Sequence, residues 1–141
     1  MENNFTFGMI KPTAFKKGYT GLIINRIIEA GFHIEALKML KMSIEQANKF
    51  YGIHKGKPFF DDLIKFITSA PVIVMVLEKE NAVVEFRELM GSTNPELAKD
   101  GTIRKQFATD MTQNAIHGSD SIENAFKEAH FFFSESEIFT S

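Results

Sequence analysis

Cysteine is absent from the 141 residues, and with it go disulfides, thiolate metal sites and thiol nucleophiles. Tryptophan is absent too. The aromatic load falls on 15 phenylalanines, which first of all suit a packed core. No charge of one sign dominates: 16 Lys and Arg against 18 Asp and Glu leave a formal net charge of -2. A long nucleic acid held by phosphate neutralisation is therefore not suggested, although local basic clusters could hold a small anion. Long apolar runs are missing as well. The longest, Pro71–Leu77, falls far below the ~20 residues of a bilayer-crossing helix. The opening MENNFTFGMI has no basic segment ahead of an apolar one, so no secretory signal is expected and a soluble, cytoplasmic protein is. Repeats and linkers are lacking, and the length suits one domain over residues 1–141.

What is present is a regular alternation of strand and helix patterns. Phe5–Lys11 alternates apolar and small residues until Pro12 stops it, which reads as a strand. Thr20–Ala30 sets Ile23, Ile24, Ile27 and Ile28 at helical spacing ahead of Gly31. Phe32–Lys41 reads as a second strand, with helix as its rival. Ser43 with Gln46 forms a capping box over a helix at Ile44–Tyr51, and Phe59–Thr68 reads as another between two prolines. Val72–Leu77, β-branched and apolar on both faces, predicts a central strand. Glu80–Met90 predicts an amphipathic helix with Val83, Val84 and Leu89 inward. A short strand at Asn114–His117 leads to a last helix capped by Asp120 and Glu123, with Ile122, Phe126 and Ala129 as its buried stripe. This order suits an α+β sandwich with helices covering a small sheet.

Several phosphate signatures are missing. Gly52-Ile-His-Lys-Gly56-Lys57-Pro58 is one residue too short for a P-loop and ends in Pro where Ser or Thr is required. The four histidines are too dispersed for a zinc pattern. The 23 residues from Gly91 to Gln113, with two Gly, one Pro and four Thr, form a loop longer than compact domains ordinarily carry. Its Thr, Arg, Lys and Asn side chains suit phosphate and ribose oxygens. The plainer alternative is a surface excursion with a short helix near Ile103–Phe107.

In Asn114-Ala-Ile-His117-Gly-Ser-Asp120-Ser, a histidine ends an apolar stretch three residues before a helix N-terminus, whose free N–H groups favour anions. On that argument alone a structural histidine is the commoner outcome. The string nevertheless resembles the active-site signature of the nucleoside diphosphate kinases. Ile10-Lys11-Pro12, Lys57-Pro58-Phe59-Phe60, Gly91-x-Thr93-Asn94-Pro95 and Gly101-Thr102-Ile103-Arg104 recur in the same order, and the likeness runs from Phe5 to about Phe133.

The resemblance implies a ferredoxin-like α/β sandwich with a four-stranded antiparallel sheet. It also implies ping-pong transfer of a γ-phosphoryl group from a nucleoside triphosphate to a nucleoside diphosphate, with broad base specificity. Matched position by position, it makes His117 the nucleophile through Nδ1, Glu128 the carboxylate that orients its ring, Ser119 the residue bonded to that carboxylate, and Tyr51 the phenol beside the histidine. Lys11, Arg87, Thr93 and Arg104 would bind phosphates, while Lys11 and Asn114 would also reach the ribose. Phe59 would stack on the base, supported by Leu63. No protein side chain is expected to bind metal, and Mg2+ would arrive on the nucleotide phosphates. Met111 stands where the family often has a smaller aliphatic residue, and Gln113 where many relatives carry Arg. The chain ends soon after Phe139, without the long C-terminal extension of many eukaryotic members. A homo-oligomer is expected, either tetramer or hexamer. Other readings at this point are a ferredoxin-like module that only binds nucleotide or single-stranded nucleic acid, and a different phosphohistidine enzyme.

Overall fold

A computed structural model of the chain describes residues 4–111 and 113–140. Met1–Asn3 of the leading segment and Thr112 of the long loop lie outside the described residues. Four strands form one antiparallel sheet: β1 (Phe5–Ile10), β2 (His33–Leu40), β3 (Val72–Glu78) and β4 (Ile116–Gly118), in the order β2-β3-β1-β4. Seven α-helices accompany them among the described residues: α1 (Pro12–Lys16), α2 (Thr20–Glu29), α3 (Ile44–Phe50), α4 (Phe60–Ile67), α5 (Ala82–Met90), α6 (Ile103–Phe107) and α7 (Ile122–Phe132). The α+β, ferredoxin-like arrangement expected from the sequence is the one observed.

Alternation along the strands divides the interior. Phe7, Met9, Val74 and Val76 face one layer with α3, α4 and α7, while Ile10, Ile73, Met75 and Leu77 face another with α2 and α5. β3 is buried on both faces, as its unbroken apolar run requires. β2 lies at the margin of the sheet. Leu37 and Met39 are 51% and 59% exposed there, and the C-terminal tail meets β2 through a bond from the Phe139 amide to the Glu35 carbonyl, 2.7 Å.

One local expectation is extended and four are corrected. Pro12 does more than stop β1, because its fixed φ suits the first position of α1. α5 turns Ala82, Phe86 and Met90 inward, a line of every fourth residue, and leaves Val84 58% exposed. α7 is capped by Ser121, whose hydroxyl accepts from the Asn124 amide at 3.0 Å. Asp120 instead takes the Asn124 side chain at 2.6 Å. Its buried face is Ala125, Ala129 and Phe132. Two alanines let the helix lie close on the sheet, while Phe126 stands outside. The fourth strand begins at Ile116, because Asn114 and Ala115 are spent in a tight turn.

Candidate active site

β4 presents His117, and the turn before it is strained. Ala115 has φ +76°, and the Ile116 amide bonds the Asn114 carbonyl two residues back at 2.9 Å. This is a γ-turn of the rare positive-φ kind, costly for any residue with a Cβ. It persists because the Lys11 amide takes the Ala115 carbonyl at 2.9 Å and Ile116 pairs with Ile10. On the other side, Gly118 lies against α5. A Cβ there would meet Phe86 and Met90 at 2.7 Å, so glycine alone lets β4 sit this close.

The His117 Nε2 lies 3.0 Å from the Glu128 carboxylate on α7, and Ser119 Oγ donates to the same oxygen at 2.6 Å. A carboxylate is an acceptor only, so the Nε2–H donates and the lone pair resides on Nδ1. Both side chains of the pair remain partly accessible. Tyr51 follows α3 directly. Burial, and after it the Glu128 charge, hold its phenol above the usual range, and its hydroxyl is buried without a partner.

Cations gather at the start of α1 and in the long segment. Lys11 is buried, and burial together with Arg104 lowers its pKa from 10.5 to about 7. Arg104 on α6 donates to the Gly91 carbonyl at 3.0 Å and the Ile116 carbonyl at 2.8 Å. Its Nε is buried without a partner, and burial followed by Arg87 lowers its pKa to about 10. Three positive groups are thus placed where they repel one another, which suits a polyanion. Gly91 ends α5 at φ +86°, where a Cβ would collide with Thr102, so this residue too has to be glycine.

Asn114 is buried, with its amide donating to the Met111 carbonyl at 3.1 Å and its Oδ1 unpartnered. Gln113 accepts from the Thr13 hydroxyl at 3.0 Å, so this residue ties the segment to α1. Phe59 is half-exposed just before α4, with its ring 5.4 Å from that of His54. Leu63, one turn on, is a buried core residue. Thr93 and Arg87 are exposed.

The structure therefore joins His117, Glu128 and Ser119 by hydrogen bonds, and Lys11, Arg104 and Arg87 by mutual charge. Among the described residues no ring contact links Phe59 to His117, nor does any side-chain hydrogen bond join Thr93 to either group. Sequence reasoning passed over Phe7 and Phe50, whose rings flank His117 at 6.1 and 5.6 Å. The only available signal was the position of Phe50 beside Tyr51. No group of three His, Asp or Glu among the described residues is placed to hold a metal ion. No described helix is long and apolar enough to cross a membrane.

Comparison with known proteins shows the family. The family model described as nucleoside diphosphate kinase matches residues 4–138. A nucleoside diphosphate kinase of Histophilus somni (strain 2336) is 52% identical over 134 residues, covering 95% of each chain. One from Campylobacter fetus is 54% identical over 133 residues, covering 94% of this chain and 97% of that one. Among solved structures, the Aquifex aeolicus nucleoside diphosphate kinase superposes with a TM-score of 0.93 at 45% identity, over 96% of this chain and 98% of that one. The Halobacterium salinarum enzyme, solved in complex with CDP, gives 0.94 at 37% identity, over 99% and 93%. A family model over nearly the whole chain and relatives more than half identical to it put the chain in the nucleoside diphosphate kinase family.

Proposed function

We propose that the chain moves a γ-phosphoryl group from a nucleoside triphosphate to a nucleoside diphosphate through a phosphohistidine on His117 Nδ1. One observation carries the residue assignment: Glu128 occupies the Nε2–H, which leaves the Nδ1 lone pair free on a side chain that is 21% exposed. Neutral imidazole is already a nucleophile near pH 7 and needs no strong base. Its lone pair forms the P–N bond while the bond to the departing diphosphate breaks with its electron pair. The second nucleotide reverses these steps. Donor and acceptor nucleotides are nearly isoenergetic, and an energy-rich phosphoimidazole is a suitable resting point between them.

Lys11, Arg104 and Arg87 supply charge to the equatorial oxygens, and the unpartnered Arg104 Nε and Tyr51 hydroxyl are two buried groups that substrate oxygens would satisfy. A phosphate arriving beside Lys11 favours its ammonium form, so the pocket gains charge as it fills. Asn114 Oδ1 is likewise unpartnered and suits a ribose hydroxyl. Phe59 offers a ring to the base, which any base accepts because each has a π-face. Thr93 adds a neutral donor, and Leu63 backs the helix behind Phe59. The donor set favours Mg2+ carried on the nucleotide phosphates, since the charged side chains assigned to the phosphates are cations. Such an ion would screen phosphate charge and hold the leaving oxygens.

The whole chain works as one catalytic domain in the cytoplasm. The open margin of β2, with Leu37 and Met39 exposed, supports a homo-oligomer, tetramer or hexamer. Incubation with γ-labelled ATP tests the reading. The protein should take up acid-labile label and pass it to GDP, and His117→Ala should take up none. Label retained in that variant would refute the assignment.

A further inference from the structure

Phe50, the last residue of α3, sits at the centre of five rings. Its centroid lies 6.1 Å from Phe7, 4.9 Å from Tyr51, 5.6 Å from His117, 5.4 Å from Phe131 and 5.3 Å from Phe132. It therefore touches both the histidine and the phenol assigned to the reaction. Against His117 it stands edge-on, at 70° between planes, and Phe7 meets the same imidazole at 62°. Such T-shaped pairs are preferred geometries that hold two rings in fixed relation.

This matters because the Glu128 bond does not fix the imidazole completely. A ring attached at Cγ and hydrogen-bonded at Nε2 can still rock about the line joining those atoms. That rocking swings Nδ1, the attacking atom, out of line with the phosphorus. Phe7, fully buried on β1, and Phe50, braced by Phe131 and Phe132, limit the motion. The same rings cover part of the imidazole with hydrocarbon. Water reaching the phosphohistidine would form a P–O bond as the P–N pair returns to Nδ1. The product would be inorganic phosphate, and the turnover would be wasted.

We propose that Phe50 is a positioning residue for the transfer: with Phe7 it sets the plane of the His117 ring and shields the phosphohistidine from water. The proposal rests on the phosphohistidine reading given above. Its test is Phe50→Leu, which fills similar space without a ring, beside Phe50→Tyr, which keeps the ring. Phe50→Met serves if the leucine variant does not fold. In Phe50→Leu, kcat should fall about tenfold while KM stays within about twofold, because misalignment of the attacking atom costs rate without costing ground-state binding. Isolated phosphoenzyme should lose label to water at least about threefold faster. Phe50→Tyr should restore both properties. Equal kcat and equal phosphoenzyme lifetime in Phe50→Leu and wild type would overturn the proposal, as would a loss seen in KM alone. If wild-type protein takes no label, the phosphohistidine reading itself fails, and the two failures are thereby distinct.

Discussion

Replacing Lys11 by methionine should make the nucleotide-free protein more stable while abolishing its activity. Lys11 is 7% exposed and its ammonium group feels the charge of Arg104; burial first, then that guanidinium, lower its pKa from 10.5 to about 7. In the unfolded chain it recovers its ordinary value. Between those two values the unfolded state holds more protons than the folded one, so stability rises with pH across the window from about 7 to 10.5. Below the window the penalty is constant, and above it the penalty vanishes. At about 1.36 kcal/mol per pH unit, the interval represents roughly 4 kcal/mol forgone at pH 7. Methionine has similar length and no charge, so the variant gains up to about 4 kcal/mol at pH 7 and almost nothing near pH 10.5. Urea midpoints for both proteins, at matched concentration and without nucleotide, measure the difference across this range. Excess ADP should stabilise the wild type far more than the variant, through mass action. A variant midpoint equal to or below wild type at pH 7, or a gap that does not close with rising pH, would refute the reasoning.

Other changes address separate parts of the site. Glu128→Gln keeps the shape but lets an amide donate toward Nε2, which favours the wrong tautomer; the phosphorylation rate in stopped flow should fall at least about a hundredfold. A near-normal rate would mean that the carboxylate does not orient the ring. Gly118→Ala forces a methyl group into Phe86 and Met90 and should cost about 1–3 kcal/mol in denaturant unfolding; an unchanged midpoint would show that α5 moves aside freely. Arg104→Lys keeps a charge but loses the forked bonds to the Gly91 and Ile116 carbonyls. Nucleotide KM should rise and limited proteolysis within residues 91–113 should quicken together, and a change in only one would separate binding from anchoring.

Much of the fold was legible because its signals are local. The Ser43–Gln46 box is present as the sequence reads, with both reciprocal bonds, and β3 follows from an unbroken apolar run. The inward faces of α5 and α7 were misread in part, with Leu89 and Ala129 placed correctly, because helical spacing alone does not say which of several apolar lines meets the sheet. Close packing chose the smaller residues, Ala125 and Ala129, and placed Phe126 outside. Within the site, the order of motifs brought out His117, Lys11 and Arg104. The bonds linking them to their supports run between distant segments and leave no periodic trace. Ala115 at positive φ is the clearest example. The positive φ falls on an alanine and not on the neighbouring Asn114, so nothing in the sequence marks that position, and the Lys11 amide and the β1 pairing hold it there. Gln113, which has no reading in the sequence, becomes intelligible once Thr13 is found beside it.

The margin of β2 carries a consequence for handling the protein. Exposed strands are ordinarily guarded by a lysine standing off from the chain or by a proline, and His33–Leu40 contains no proline. Its one lysine, Lys38, is drawn aside to the Phe132 carbonyl at 2.8 Å and to Glu137 at 3.0 Å, so it does not act as a sentry. A solitary copy would present an adhesive rim of backbone and aliphatic surface. If the homo-oligomer proposed above covers this margin, dilution that parts its subunits should therefore lead to precipitation sooner than to a well-behaved monomer.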